Sequence, residues 1–150
     1  MVYDWVVDLC SSRSRKHKEQ VIEKALIASR LGSVSAEYFL YNSYLCYNPN
    51  FKYGIKQVPL TDNLMFKPNP WMDFWGLCKN LRFGVLDRSH MLTAVDAMSK
   101  RFDSLQWNYV CTRVLAKDLQ CGVNRTTFNK VLENTEWRIP GVGELCATAI

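Results

Sequence analysis

Several patterns are missing from this chain, and each absence closes off a class of function. Its six cysteines (Cys10, Cys46, Cys78, Cys111, Cys121 and Cys146) contain no Cys-x-x-Cys pair. Zinc sites and disulfide frameworks need tighter or paired spacing. Most of these cysteines fall in apolar helical patterns, so reduced core thiols are expected. Only two histidines occur, His17 and His90, each alone in a basic turn that suits phosphate contact better than proton transfer. The carboxylates Asp4, Asp8, Asp87, Asp96 and Asp103 read as caps or solvated faces. No apolar run approaches the length of a membrane span. The stretch from Met1 to Leu9 is amphipathic and acidic, unlike the basic-then-apolar plan of a signal peptide, so a soluble cytoplasmic protein is expected. No glycine-rich phosphate loop appears, because Gly141-Val142-Gly143 has no strand before it. Internal repeats, low-complexity tracts and convincing strands are lacking too.

What remains is globular: 150 residues, 48% hydrophobic and 22% charged, with a formal net charge of +5. One domain of that length buries a real core, and the moderate positive surplus permits an anionic partner without demanding one. Val2, Trp5, Val6 and Leu9 follow helical spacing. Ser14 can cap a second helix with Val21, Ile22, Ala25 and Leu26 inward. Gly32 and Ser33 close it, and Ser35 offers the cap of a third helix bearing Phe39, Leu40 and Tyr44. Asn69 and Pro70 open a helix from Trp71 to Leu81, with Trp71, Phe74, Trp75 and Cys78 buried. Asp87 caps the next, with Met91, Leu92, Val95 and Met98 inward. Another carries Trp107, Val110, Cys111, Val114 and Leu115, and runs on through Leu119 until Gly122 stops it. Asn124 or Thr126 caps a last helix with Phe128, Val131 and Leu132 inside. The fold class is all-α, a compact domain of about six to eight helices. Residues 47–70, rich in proline and asparagine, read as an irregular connection, either a packing strap or a ligand-facing loop.

Three turns share one plan. Ser12 to Lys18, Lys79 to His90 and Asn124 to Lys130 each bear cations and open a helix. A helix N-terminus offers amide donors and positive partial charge to an anion. Three such termini on one surface would position successive duplex phosphates without reading sequence, across a minor groove. Taken singly, each reads better as a solvated turn; the three together bring the two readings level. Tryptophan and tyrosine rings could stack on unpaired bases, but most sit at core spacing; Tyr41, Tyr44, Tyr47 and Tyr53 are the least settled.

The run Asp118-Leu-Gln-Cys-Gly-Val-Asn-Arg-Thr-Thr-Phe-Asn-Lys-Val131 resembles the Asp-Leu-x-x-Gly motif that closes the DNA-binding domain of ATP-dependent DNA ligases, most nearly those of T-even bacteriophages. Ser14-Arg-Lys-His-Lys-Glu-Gln-Val-Ile-Glu-Lys24 is similar to that family's first basic turn and second helix. Ile139-Pro140, followed by Leu145-Cys-Ala147, is similar to its exit into the catalytic domain. The resemblance implies a helical DNA-binding domain at 1–138 and a linker at 139–150. It implies that the domain holds nicked duplex DNA in replication and repair, for a catalytic domain in cis or in trans. By position, the implied contacts are Ser14, Arg15, Lys16 and Lys18; then Arg88, Ser89 and His90; then Gly122, Asn124, Arg125, Thr126, Thr127 and Lys130. Gly122 would let the backbone approach a phosphate.

One departure matters. A ligase attacks ATP with the lysine of a Lys-x-Asp-Gly motif, and this sequence has none; Lys117 directly precedes Asp118 and Leu119. No catalytic residue, cofactor or metal is therefore expected in this chain. ATP and Mg2+ would belong to the nucleotidyltransferase and OB-fold domains that it lacks. The chain is then either a ligase fragment or a freestanding module, expected to be monomeric and away from membranes. The rival readings are a helix-turn-helix regulator reading bases in the major groove and a helical protein-interaction module whose basic turns are solvated edges.

Overall fold

Side-chain oxygens open most of the helices. Ser14 accepts from the His17 N–H, Ser33 from Ala36, Asp87 from His90, Asp103 from Gln106 and Asn124 from Thr127. Each satisfies a backbone donor that a first helical turn leaves without an intrahelical partner. The computed structural model describes residues 1–64, 68–82, 86–133, Thr135, Trp137 and Ile139. Its helices are α1 (Val2–Cys10), α2 (Arg15–Arg30), α3 (Val34–Tyr47), α4 (Trp71–Arg82) and α5 (Arg88–Ser99), then α6 and α7 (Arg125–Leu132). α6 joins Ser104–Gln106, a π-helical stretch Trp107–Cys111, and Thr112–Leu115. Among the described residues there is no strand, and the fold is all-α as expected. No described helix is long and apolar enough to cross a membrane.

α3 lies at the centre. Every residue from Phe39 to Cys46 is buried, so the single expected stripe of Phe39, Leu40 and Tyr44 is too narrow. A helix buried on all sides must satisfy its polar groups internally. Asn42 does so through the Tyr38 carbonyl at 2.9 Å and the Trp75 indole N–H at 3.1 Å, and Ser43 through the Phe39 carbonyl at 2.9 Å. α1, α2 and the end of α6 pack around α3, and α7 lies on α2. The unsettled tyrosines belong to this core. Tyr41 packs on Trp75, Tyr44 on Phe51, Tyr47 on Phe128 and Tyr53 on Phe51. Burial pushes the hydroxyls of Tyr41, Tyr47 and Tyr53 above their usual range, and none of these rings is free to stack on a base.

The irregular connection after α3 is a packing strap. Phe51 and Tyr53 are buried. Trp107 Nε1 donates to the Pro59 carbonyl at 2.6 Å, and Asn108 exchanges two hydrogen bonds with Thr61 at 3.0 and 2.9 Å. Asn63 reaches the carbonyls of Lys100 and Phe102. A segment without regular structure must find backbone partners elsewhere, and α6 supplies them here.

Local readings change in five places. Ser33 rather than Ser35 caps α3, and Ser35 instead accepts from the Trp5 indole. Asn69 uses its amide to pair with Asp103, at 2.9 and 3.1 Å, while the first turn of α4 closes on the Pro70 carbonyl. Leu92, expected inward, is 44% exposed, because α5 packs mainly on α4.

α6 stops at Leu115 instead of reaching Gly122. Asp118 and Lys117 donate to the carbonyls of Arg113 and Val114, both at 3.0 Å, a Schellman closure with Lys117 (φ 65°) where glycine is usual. A left-handed lysine costs about 1–2 kcal/mol. Its ammonium offsets that by donating to the Leu45 and Asn48 carbonyls at the end of α3, at 3.3 and 2.5 Å. Finally, Cys10 and Cys121 form a disulfide across 111 residues of chain, with Cα atoms 4.5 Å apart. Among the described residues, the expectation of reduced thiols holds for Cys46, Cys78 and Cys111, which are free and buried. The pairing escapes the sequence because tertiary packing alone brings the end of α1 to the turn after α6. Cys146 lies outside the described residues.

Candidate nucleic-acid interface

Residues of the N-terminal turns of α2 and α7 wall one cleft of about 350 Å³. Arg13, Arg15 and Lys18 come from the first, and Gly122, Asn124, Thr126 and Thr127 from the last. Local chemistry builds both sides. Ser14 holds the His17 amide at 3.3 Å. Asn124 holds the Thr127 amide at 3.1 Å while Thr127 Oγ1 accepts from the Asn124 N–H at 3.4 Å, a reciprocal cap. His17 Nε2 lies 2.9 Å from the Asp8 carbonyl and 3.1 Å from the Ser11 hydroxyl. It thus ties α2 to α1 and is not among the residues lining the cleft.

Lys18 is the unusual member. It is only 8% exposed, and among the described residues no carboxylate pairs with it, whereas Arg15 and Lys130 both reach Glu19. A lysine with so little exposed surface ordinarily has a counter-charge. Lys18 shares its helical face with Val21, Ile22 and Ala25, all buried. A lysine on an apolar stripe is the signal by which the sequence could have singled it out. Its Nζ stands 2.6 Å from the point a Cβ would occupy on Gly122, whose φ is +68°. The left-handed backbone favours glycine here, and a Cβ would in addition push aside the far end of the flexible Lys18 side chain.

Helix caps set the sign of the local field. Ser14 and Asn124 are neutral, so the positive ends of α2 and α7 stay uncancelled. α5 differs: its cap is the Asp87 carboxylate, which accepts from the His90 amide at 2.9 Å and lies 2.8 Å from the His90 ring. These contacts hold Asp87 below its ordinary value of 3.8. Arg88, Ser89 and His90 are exposed, but Arg88 lines a separate cavity with Gly54–Gln57, Met91 and Leu92. The structure thus brings together the first and last turns and sets the middle one apart; residues 83–85 of that turn lie outside the described residues.

The remaining candidates divide further. Lys16 and Lys130 line the outer groove between α2 and α7. Lys130 Nζ lies 2.9 Å and Arg15 Nε 3.3 Å from the same Glu19 oxygen. The Lys130 ammonium beside it is the main reason Glu19 sits below its ordinary 4.5. Arg125, half-buried at the start of α7, is not among the cleft-lining residues, and Ser14 works as a cap. Arg13 lines the cleft though the sequence reading passed over it; standing just before the cap of α2, it was legible as part of the same basic turn. Ile139 is buried and bonded in both directions to Asn129, at 2.6 and 2.7 Å; the rest of the expected exit, from Pro140, lies outside the described residues. Among the described residues no cluster of histidine, cysteine or carboxylate could hold a metal ion.

No protein-family model and no curated protein matches the chain. Two solved structures do. One, named Pmar-Lig_PreS3, superposes with a TM-score of 0.83 at 26% identity, over 93% of this chain and 31% of its own. The other, Pmar-Lig_Pre., gives 0.75 at 25% identity, over 92% and 30%. Their names mark them as ligase-related, so the fold is that of a ligase-associated helical domain. The chain spans less than a third of the length of either.

Proposed function

We propose that this chain binds duplex DNA around a nick, as the DNA-binding domain of a phage-type ATP-dependent DNA ligase, through backbone phosphates and without sequence preference. The observation that carries this reading is Lys18, a residue 8% exposed that lines the cleft between two neutrally capped helix N-termini and has no carboxylate partner among the described residues. That arrangement fits a phosphate oxygen: the amides and hydroxyls donate, and the cations of Arg13, Arg15 and Lys18 balance the charge. The fold shared with ligase-related chains supports the reading independently. Nucleotide chemistry would fall to other domains, because no Lys-x-Asp-Gly lysine is present to take up ATP.

The test is binding to three labelled duplexes of equal length (nicked, intact, and nicked with scrambled sequence) over a salt series. Cations contacting two to four phosphates give a log–log slope of about −2 to −4. Binding of that steepness, indifferent to sequence, supports the proposal; a strong preference for one sequence or no retention at low salt removes it.

Two variants refine the site. Gly122→Ala places a methyl 2.6 Å from the Lys18 ammonium, so that this side-chain end must move away, and imposes a left-handed alanine at about 1 kcal/mol. Affinity should drop roughly tenfold, the effect of about 1.4 kcal/mol. A drop in thermal stability with unchanged affinity would show that Gly122 matters only to the turn. Glu19→Gln frees Arg15 and Lys130 from their shared carboxylate, and nicked duplex should then bind roughly threefold tighter at low salt with a steeper slope. Because Glu19 titrates below its ordinary 4.5, its pairing is fully present above that value and fades as pH falls through the lowered folded value. The difference in melting temperature between wild type and Glu19→Gln should therefore close in acid.

A further inference from the structure

We infer that Cys10 and Cys121 form a thiol–disulfide exchange site that sets how tightly the cleft grips a phosphate backbone; this rests on the DNA reading above. Cys10 ends α1 and is exposed, whereas Cys121 is 5% exposed. An attacking thiolate therefore reaches the Cys10 sulfur and expels that of Cys121. Cys10 stands three residues before Arg13, and Cys121 directly precedes Gly122. The bridge thus joins the two chain segments that supply the two walls of the cleft.

The turn on the Cys121 side holds Lys117 and Gln120 at φ 65° and 59°, backbone that persists only under tertiary restraint. With the bridge closed, the Arg13–Lys18 wall and the Gly122–Thr127 wall keep one separation, and a phosphate meets a preorganised site. With it open, the packing of α7 on α2 still joins the walls, but their outer ends lose the covalent tie and are held by His17 on the Asp8 carbonyl and Arg113 on the Leu119 carbonyl. Cys46, Cys78 and Cys111 are buried, with thiols pushed up by burial, so among the described residues exchange is confined to this pair.

The chemistry closes with a small dithiol as reductant and a glutathione-type disulfide as oxidant. One dithiol sulfur attacks Cys10, the Cys10–Cys121 bond breaks, and Cys121 leaves as a thiolate that takes a proton. The second dithiol sulfur then displaces Cys10, leaving two protein thiols and the cyclic disulfide of the reductant. Oxidised glutathione drives the reverse reaction and departs as two thiols.

The experiment compares the whole chain prepared in oxidised glutathione with the same chain prepared in dithiothreitol. Alkylation after denaturation should count two fewer thiols in the oxidised form. That form should hold nicked duplex at least about fivefold tighter, the low end of usual coupling between sites. By reciprocity, saturating duplex should shift the glutathione midpoint toward the disulfide by about 20 mV, at 29.6 mV per tenfold. Cys10→Ser and Cys10→Ala should both bind like the reduced chain in either buffer. Equal thiol counts overturn the bridge. Equal affinities, or tighter binding by the reduced form, overturn the coupling and leave the DNA reading standing. No retention of duplex by either form overturns both.

Discussion

Lys18→Met should weaken binding to nicked duplex by about thirtyfold at low salt and make the salt slope shallower by roughly one, without lowering the melting temperature. The first part follows from what the cleft lacks. A desolvated ammonium bonded to an anion is worth about 2 kcal/mol or more, so deleting it costs more than tenfold in affinity. The second part follows from what Lys18 lacks in the free chain. Among the described residues no carboxylate offsets its burial, so an apolar side chain of similar length on the same face as Val21, Ile22 and Ala25 is neutral or stabilising. Affinity and stability should therefore move independently. Fluorescence anisotropy with labelled nicked duplex and a thermal melt of the same preparation decide it. A variant that melts early and binds weakly would make Lys18 a packing residue; one that binds like wild type would empty the cleft of its role.

Trp107→Ala should cost about 3–5 kcal/mol of folding stability, a fall of roughly 10 °C in melting temperature for a chain of this size. Trp107 is fully buried, its ring meets Phe74 and Phe102 with centroids 6.0 and 5.7 Å apart, and its N–H holds the Pro59 carbonyl. Removing it opens a cavity and loosens the strap in one step. Trp107→Phe separates the two effects: it keeps most of the packing but strands a carbonyl, for about 1–3 kcal/mol. Leu92→Ala is the control, because that side chain is 44% exposed and should change stability by less than about 0.5 kcal/mol. Urea denaturation measures all three. If Trp107→Ala unfolds with the Leu92 control, the strap is not anchored through α6.

Legibility followed locality. Ser14, Asp87 and Asn124 could be read as caps because a cap is a contract among neighbours: one side-chain oxygen and an amide three residues on. The stripes of α2 and α6 could be read because burial of one helical face repeats within a few residues. The reading was weakest where a local signal had two outcomes. Ser35 read as the cap of α3, but Ser33 takes that place while Ser35 accepts from the Trp5 indole. Gly122 was a sound helix stop, yet α6 ended earlier because carbonyls of α3 stood where the Lys117 ammonium could reach them.

By itself, then, the sequence determined an all-helical chain, where most of its helices open, and which turns carry the cations. Those properties depend on interactions that span a handful of residues. Only the tertiary structure decided that the first and last basic turns share a cleft while the middle one stands apart under its own carboxylate cap. It alone buried Lys18 against Gly122 and brought Cys10 to Cys121. Each of these joins residues roughly a hundred positions apart, and no local propensity carries information across that distance. The packing of α1, α2 and α7 around α3 does.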